Sequence, residues 1–389
     1  MPATSLSDRS STNDLLLPAM ILNRVDIVNF KNIASASLEF SPGVNCLLGR
    51  NGMGKSNLLE AINFLSMARP LTPLPESALI THGRDMLLVK GDYTADAGGS
   101  EQISCGVVRG KGKTLKRNGK EYTRISEHIG RFPIVAVSPA DSALVSGGGE
   151  ERRRLMDMVI SQADNSYLSY LIRYTRSLES RNRMLRAGVR DKLLYESVEA
   201  GMAEAAKAVN IARRQWTERL TPVFEDFYRR ISGGAERASL TYRSVLNDAS
   251  LPEVLEQQRA KDITLGFTSR GVHRDDLDTA LDDYSMRRLG SQGQIKTFTI
   301  ALRLAIFSYL REAGGVTPIL LLDDIFDKLD SDRVARIMAT VSAPGEFGQI
   351  FVTDTNRKHL DDIIEAMQGE RRMWEVADGV YTPINIEQT

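Results

Sequence analysis

The chain has 389 residues, 42% hydrophobic and 26% charged, with 50 Lys plus Arg set against 50 Asp plus Glu. This length suits one large α/β domain with an insertion, or two domains, and holds enough apolar residues for a sizeable core. Neutrality excludes a global field that gathers nucleic acid, so any such binding needs a local basic patch, and no apolar run approaches the ~20 residues that span a bilayer.

The first stretch, 1–19, is rich in Ser, Thr and Asp without periodicity and reads as a flexible tail, with Met20 an alternative start. "LLLPAMIL" is broken by Pro18 and lacks a basic leader, so no export signal is expected and the chain reads as cytoplasmic. From Ile21, "ILNRVDIVNF" and "ASASLEF" alternate as half-buried strands do, and "GVNCLLG" is a short buried strand. Cys46 inside it reads as a small buried thiol. The second cysteine, Cys105, is far away in sequence, and both suit a reducing compartment. His82, His128, His273 and His359 have no Cys or His partner at ligand spacing, so any metal must be held by oxygen.

"GRNGMGKSNLLEAINFLSMAR" then turns from a glycine-rich loop into a helix with Leu58, Leu59, Ile62 and Leu65 on one face. A β-rich stretch follows from about Met86 to Val137, with a tight hairpin at Asn118-Gly119. After "SGGGEE" the period is helical from about Arg152 to Arg229. A helical insertion is expected over 160–260, between two parts of a head, 20–159 and 261–389. Strand signals return from Leu240. A long helix then carries Ile295, Phe298, Leu302, Ile306 and Tyr309 on one face, and "PILLLDD", a mixed helix and the strand "QIFVTDT" complete a mostly parallel sheet.

"GRNGMGKS" fits G-x-x-x-x-G-K-[ST] between strand and helix, the setting a phosphate loop requires. In that reading Gly49, Arg50, Asn51, Gly52, Met53 and Gly54 wrap ATP phosphates with backbone N–H groups, Lys55 reaches the β and γ phosphates, and Ser56 ligates Mg2+. An apolar strand ending in a carboxylate supplies the matching half: Asp323 holds Mg2+, and Asp324 orients or deprotonates the attacking water. A calcium loop would want Gly and a later Glu, which are missing. Between the two motifs, "GSQGQIKT" opens the long helix with Ser291 as N-cap, followed by Gln292 and Gly293.

Basic residues concentrate at "RGKGKTLKRNGK", where Lys111, Lys113, Lys116, Arg117 and Lys120 share one hairpin shaped to lie along phosphates. A second group, Arg173, Arg176, Arg183 and Arg190, reads equally well as a solvated helix. Neither has base-stacking aromatics, so DNA binding should be independent of sequence.

These motifs and their order resemble the RecF family, in the SMC/RecF branch of the ABC-type ATPases. The resemblance runs from about Met20 to the end and rests also on "VNFKNI", "RNGKEY", "SPADSALVSGGGEERRRLMD", "YTRSLESRN", "GVHRDDL" and "LLLDDIFDKLD". It implies an ABC-type P-loop ATPase head, α/β, with a mixed, mostly parallel sheet, an antiparallel β-rich lobe and a short inserted helical lobe. It also implies that Ser291, Gln292 and Gly293 cap ATP held by a second copy. The implied activity is an ATP-dependent clamp in recombinational repair and replication restart. It would dimerise on gapped or junction DNA, release it by slow, DNA-dependent hydrolysis, and help load the recombinase with RecR and RecO.

The chain departs from the pattern of its class at two places. Asp324 stands where most ABC ATPases carry Glu, and Thr353, Asp354 and Thr355 stand where a switch histidine would be. No glutamine loop can be placed. Roughly 230 residues separate Ser56 from Ser291, and about 100 inserted residues folded as two helices reach at most ~75 Å, too short for an SMC arm. Absence of heptads agrees. A transporter ATPase subunit and an SMC-like structural clamp are the alternative readings. The first needs a coupling surface for a membrane partner and leaves the basic hairpin unexplained.

Overall fold

The computed structural model describes residues 18–95, 98–234, 236–327, 329–366 and 369–385. All but the last two positions of the expected tail, 1–19, lie outside the described residues. In chain order the strands are β1 (Met20–Phe30), β2 (Ile33–Glu39), β3 (Val44–Leu48), β4 (Met86–Ala95), β5 (Ser100–Val108), β6 (Gly112–Arg117), β7 (Lys120–Glu121) and β8 (Ile134–Val137). The series continues with β9 (Ala238–Arg243), β10 (Asp276–Leu281), β11 (Tyr284–Ser285), β12 (Ile319–Asp323), β13 (Ile350–Asp354), β14 (Arg371–Ala377) and β15 (Val380–Ile384). The helices are α1 (Lys55–Met67), α2 (Ser142–Ser146), α3 (Gly149–Ala163), α4 (Asn165–Arg186), α5 (Lys192–Ser232), α6 (Leu251–Leu265), α7 (Met286–Leu289), α8 (Gln292–Gly314), α9 (Ser331–Val341) and α10 (Arg357–Ala366).

Three sheets form. The central one has order β15-β14-β3-β13-β12-β8, parallel from β14 to β8, with β15 antiparallel at its edge. Its middle strands are mostly apolar because both faces are covered, with Asn45, Thr353 and Asp354 the buried polar exceptions. Along β12, Ile319 and Leu321 join the core under α1, whereas Leu320 and Leu322 join the core beneath α8, so the strand's two-residue period serves two layers at once. The second sheet, β2-β1-β4-β5-β6-β7, is antiparallel and packs its inner face on α1 through Val25, Ile27, Leu87 and Val89. Asn118 and Gly119, with φ of 50° and 79°, turn the β6–β7 hairpin as the sequence predicts.

Helices α4 and α5 form the arm. The longer, α5, has 41 residues, which is about 62 Å at 1.5 Å per residue, within the short-arm expectation. The expected insertion, 160–260, is not helical throughout: it contains β9, which pairs with β10 and then β11 as a third sheet at the arm's base. Helical structure also starts before 160, at α2 and α3. Tertiary pairing overrides the segment's helical flanks here, since Ala238, Leu240 and Tyr242 alternate inward against α5.

Buried ion pairs fix the arm to its base. The Arg213 guanidinium, 2% exposed, donates to Asp157 Oδ1 (2.8 Å), Asp275 Oδ2 (2.9 Å) and Val272 O (2.7 Å). Farther out, Arg181 donates to Glu199 (2.8 Å), Asp262 (2.7 Å) and Thr268 Oγ1 (2.8 Å). Cys46 and Cys105 are free and buried, and burial pushes the Cys105 thiol up to about 12, so both stay protonated packing groups. Among the described residues no helix is long and apolar enough to cross a membrane.

Candidate nucleotide site

The site lies at the carboxyl ends of β3, β13 and β12, where an open α/β sheet leaves a crevice. The chain leaves β3 at Leu48, runs through 49–54 and enters α1 at Lys55. Gly49 is required by close approach: a Cβ there would lie 2.4 Å from Val376 O. Gly54, with φ of 115°, takes a left-handed turn that points the following N–H groups out of the helix start.

Lys55 is 6% exposed, and its Nζ donates to Gly49 O (2.6 Å) and Arg50 O (3.0 Å). Burial lowers its pKa, while Asp324, Asp323 and Asp354 oppose that fall. The ammonium thus lies across the loop, beside the space the backbone N–H groups enclose. Ser56 Oγ donates to Asp323 Oδ1 (2.8 Å), joining the two expected metal ligands directly. A hydroxyl and a carboxylate already in contact, open to solvent on one side, are the hard oxygen donors that fit Mg2+ when phosphate oxygens complete its shell.

Asp324 follows in a left-handed conformation, φ 47°. Its N–H donates to Thr353 Oγ1 (3.0 Å) and its C=O accepts from Lys296 Nζ (3.2 Å). Burial raises its carboxyl pKa, with Lys296 opposing and Asp327, Asp354 and Asp323 adding to the rise. Asn51, Gly52, Gly54, Lys55, Ser56, Pro139, Asp323, Asp324 and Thr353 line one cleft of about 150 Å³, while Arg50 is solvent-exposed beside it.

Several residues of this site escape sequence reasoning. Thr353 bridges both aspartates, because its Oγ1 also donates to Asp323 Oδ1 (2.7 Å). The turn between β14 and β15 supports the phosphate loop: Gly379 N donates to Met53 O (2.8 Å) and Tyr381 OH to Gly54 O (2.9 Å). From the β1–β2 turn, Asn32 accepts from Asn57 Nδ2 (2.7 Å). At the end of β8 stand Ser138 and Pro139, and Pro139 lines the cleft. His359 of α10, five residues downstream, meets Asp354 Oδ2 through Nδ1 (2.8 Å) and is not among the residues lining the cleft.

Ser291, Gln292 and Gly293 do not line the phosphate-loop cleft of their own chain. Ser291 caps α8 as predicted: its Oγ accepts from Gln294 N (3.2 Å), and Gln294 Oε1 accepts from Ser291 N (2.8 Å). Gln294 Nε2 also donates to Glu236, which accepts from Tyr228 OH of α5 (2.7 Å). The helix start is thereby tied to the base of the arm.

The basic hairpin divides into two sets. Lys113 is engaged by Glu76 and Ala68 O, and Arg117 by Glu101, on the inward face that also carries Leu115. Those two cations are therefore not free to lie along a phosphate backbone. Lys111, Lys116 and Lys120 are exposed.

Residues 21–373 match the family model of the RecF/RecN/SMC N terminal domain. A protein of Porphyromonas gingivalis named DNA replication and repair protein RecF is 48% identical over 361 residues, covering 92% of this chain and 99% of its own length. The chain belongs to the RecF family.

A RecF of Bacteroides thetaiotaomicron is 46% identical over 370 residues, covering 95% of this chain and all of its own. Among solved structures, that of the recombination mediator protein RecF-ATP in the RecFOR pathway superposes with a TM-score of 0.84 at 29% identity, over 94% of this chain and 98% of the other. The Smc head domain from Pyrococcus furiosus, at 18% identity and a TM-score of 0.56 over 94% of this chain and 96% of that one, shares the fold. The ABC-type ATPase head expected from the sequence is thus the observed fold. Two runs behind the RecF resemblance, "SPADSALVSGGGEERRRLMD" and "GVHRDDL", meet in space. Arg152 makes a two-pronged pair with Asp276 (2.7 and 3.0 Å), and Asp275 receives Arg213. They build the joint between head and arm.

Proposed function

We propose that this RecF-family chain is an ATP-dependent DNA-binding clamp of recombinational repair and replication restart. The observation that carries the reading is the contact of Ser56, Asp323 and Thr353 beneath the phosphate loop, with Asp324 next in line. ATP binding draws Lys55 off the Gly49 and Arg50 carbonyls onto the β and γ phosphates, exchanging neutral acceptors for charged ones. Ser56 Oγ and the Asp323 carboxylate would hold Mg2+. When bound, that ion neutralises charge developing on the transferring phosphoryl group. Asp324 accepts the proton of the attacking water, and its burial-raised pKa suits a base near neutrality better than an ordinary carboxylate would. Its side chain is one methylene shorter than glutamate, which favours slow turnover.

Ser291, Gln292 and Gly293 are not among the residues lining their own phosphate-loop cleft, although Gln292 borders the neighbouring cavity beside Asp324, so in this reading they cap ATP held by a second copy. Closure then forms a homodimer on gapped or junction DNA without sequence preference, with exposed Lys111, Lys116 and Lys120 as candidate phosphate contacts. Hydrolysis, stimulated by DNA, reopens it. Kinship with RecF supports RecR and RecO as partners and the cytoplasm as location. Sedimentation and gel-shift on gapped and blunt duplexes, with ATP, ADP or no nucleotide, test the switch. ATP alone should give dimer and tight gapped-DNA binding, and equal dimer in all three states overturns it.

A further inference from the structure

Asp324 sits at φ 47°, a region a non-glycine residue keeps only when its surroundings hold it there. Two elements do so. Thr353 on β13 takes its N–H, and Lys296 on α8 donates to its C=O. The same Lys296 ammonium also donates to the C=O of Asp327, so one cation grips the 324–327 turn at both ends. Within the turn Ile325 and Phe326 are buried in the core, so these bonds act on its polar ends while packing holds its middle. Asp323, Asp324 and Asp327 border a cavity of about 350 Å³ that Gln292 and Lys296 of α8 also line.

Lys296 lies about one and a half turns beyond Ser291 on α8. The residues immediately after it, Thr297 to Leu304, are buried, and Lys296 lies on the same unbroken helix as the capped start. The helix that presents Ser291 outward is therefore the one that holds Asp324.

We propose that Lys296 is a positioning residue for hydrolysis, transmitting the seating of α8 to the Asp324 main chain. The inference rests on the reading of Asp324 as base and of Ser291 as cap on a second copy's ATP. In a closed dimer the helix that meets one nucleotide would then set the base for the other, coupling the two sites through a single side chain.

Lys296→Met keeps the aliphatic stem and removes the ammonium. Amide exchange over residues 321–329 in the nucleotide-free chain should rise several-fold. ATP turnover should fall about tenfold or more with half-saturating ATP unchanged within about twofold, and Lys296→Arg should recover both in part. Exchange and turnover matching the parent overturn the proposal, as does a loss confined to ATP affinity. Asp324→Asn separates the failures. If it turns over like the parent, the reading of the base and this inference fall together. If it abolishes turnover while Lys296→Met matches the parent, the inference alone falls.

Discussion

Thr353 Oγ1 donates to Asp323 Oδ1 at 2.7 Å while accepting the N–H of Asp324 at 3.0 Å, so one hydroxyl orders both carboxylates at the end of β12. Thr353 is fully buried. Replacing it with Val keeps its shape, orphans the Asp324 N–H and leaves Asp323 Oδ1 held by Ser56 Oγ without its second donor. A buried unpaired donor costs about 1–3 kcal/mol, and outer-shell groups at metal sites typically matter about 10–100-fold. Thr353→Val should therefore lower turnover by that factor while ATP affinity changes little. A steady-state assay beside nucleotide titration checks it, and wild-type turnover would show that the bridge is idle.

Much of this site could be read in advance because it is local. The phosphate loop, Asp323 and the Ser291 cap each depend on residues close in sequence, and the period-two burial of β12 follows from its apolar run. Thr353, Tyr381 and Asn32 were hidden because they act across strand neighbours, and nothing in "QIFVTDT" says that β13 lies beside β12. Lys113 and Arg117 show the converse. Their charges suggest an open basic face, yet strand alternation turns them inward with Leu115, where Glu76 and Glu101 receive them. The strand signal from Leu240 does mark β9, yet the expected insertion of 160–260 runs over it, since its partner strands come later in the chain.

Arg213 tests the head–arm joint. Removing it leaves Asp275, 1% exposed, without its charge partner, and breaking a buried pair on one side costs about 3–5 kcal/mol. Arg213→Met should lower the urea midpoint accordingly. Arg173 pairs with Glu204 in full solvent, and Arg173→Met should leave the midpoint where it was. Equal effects of the two substitutions would refute the joint.

Two histidines make stability depend on pH. Burial lowers both His128 and His273 from the usual 6.5 to about 4. Bonds to Leu65 O and Thr268 O oppose that fall, while neighbouring arginines deepen it. Between pH 6.5 and 4 the unfolded chain binds protons that the folded chain refuses. Stability is therefore whole above 6.5 and declines as pH falls, by up to about 1.4 kcal/mol per pH unit for each imidazole. Urea unfolding of His128→Gln between pH 6.8 and 5.2, a window of about 1.6 units above the carboxylate range, should show a shallower decline than the parent. An identical slope would mean that His128 titrates alike in both states.

The exposed and engaged halves of the hairpin should separate function from folding. If Lys111, Lys116 and Lys120 each contact a phosphate, neutralising all three to Gln weakens DNA binding and lowers the salt-dependence slope by about 2.7, at ~0.9 per contact. Thermal stability should be unchanged, because these side chains face solvent. Lys113→Gln should behave oppositely: it breaks the Glu76 pair and the Ala68 contact beneath the sheet, lowering the unfolding midpoint with little change in the salt slope. Filter binding across 50–200 mM salt, a range over which phosphate contacts dominate affinity, together with thermal unfolding, reads both quantities. A salt slope that the triple variant leaves fixed would place the DNA contact elsewhere on the molecule, and one that moves for Lys113→Gln would place it on the engaged face of the hairpin.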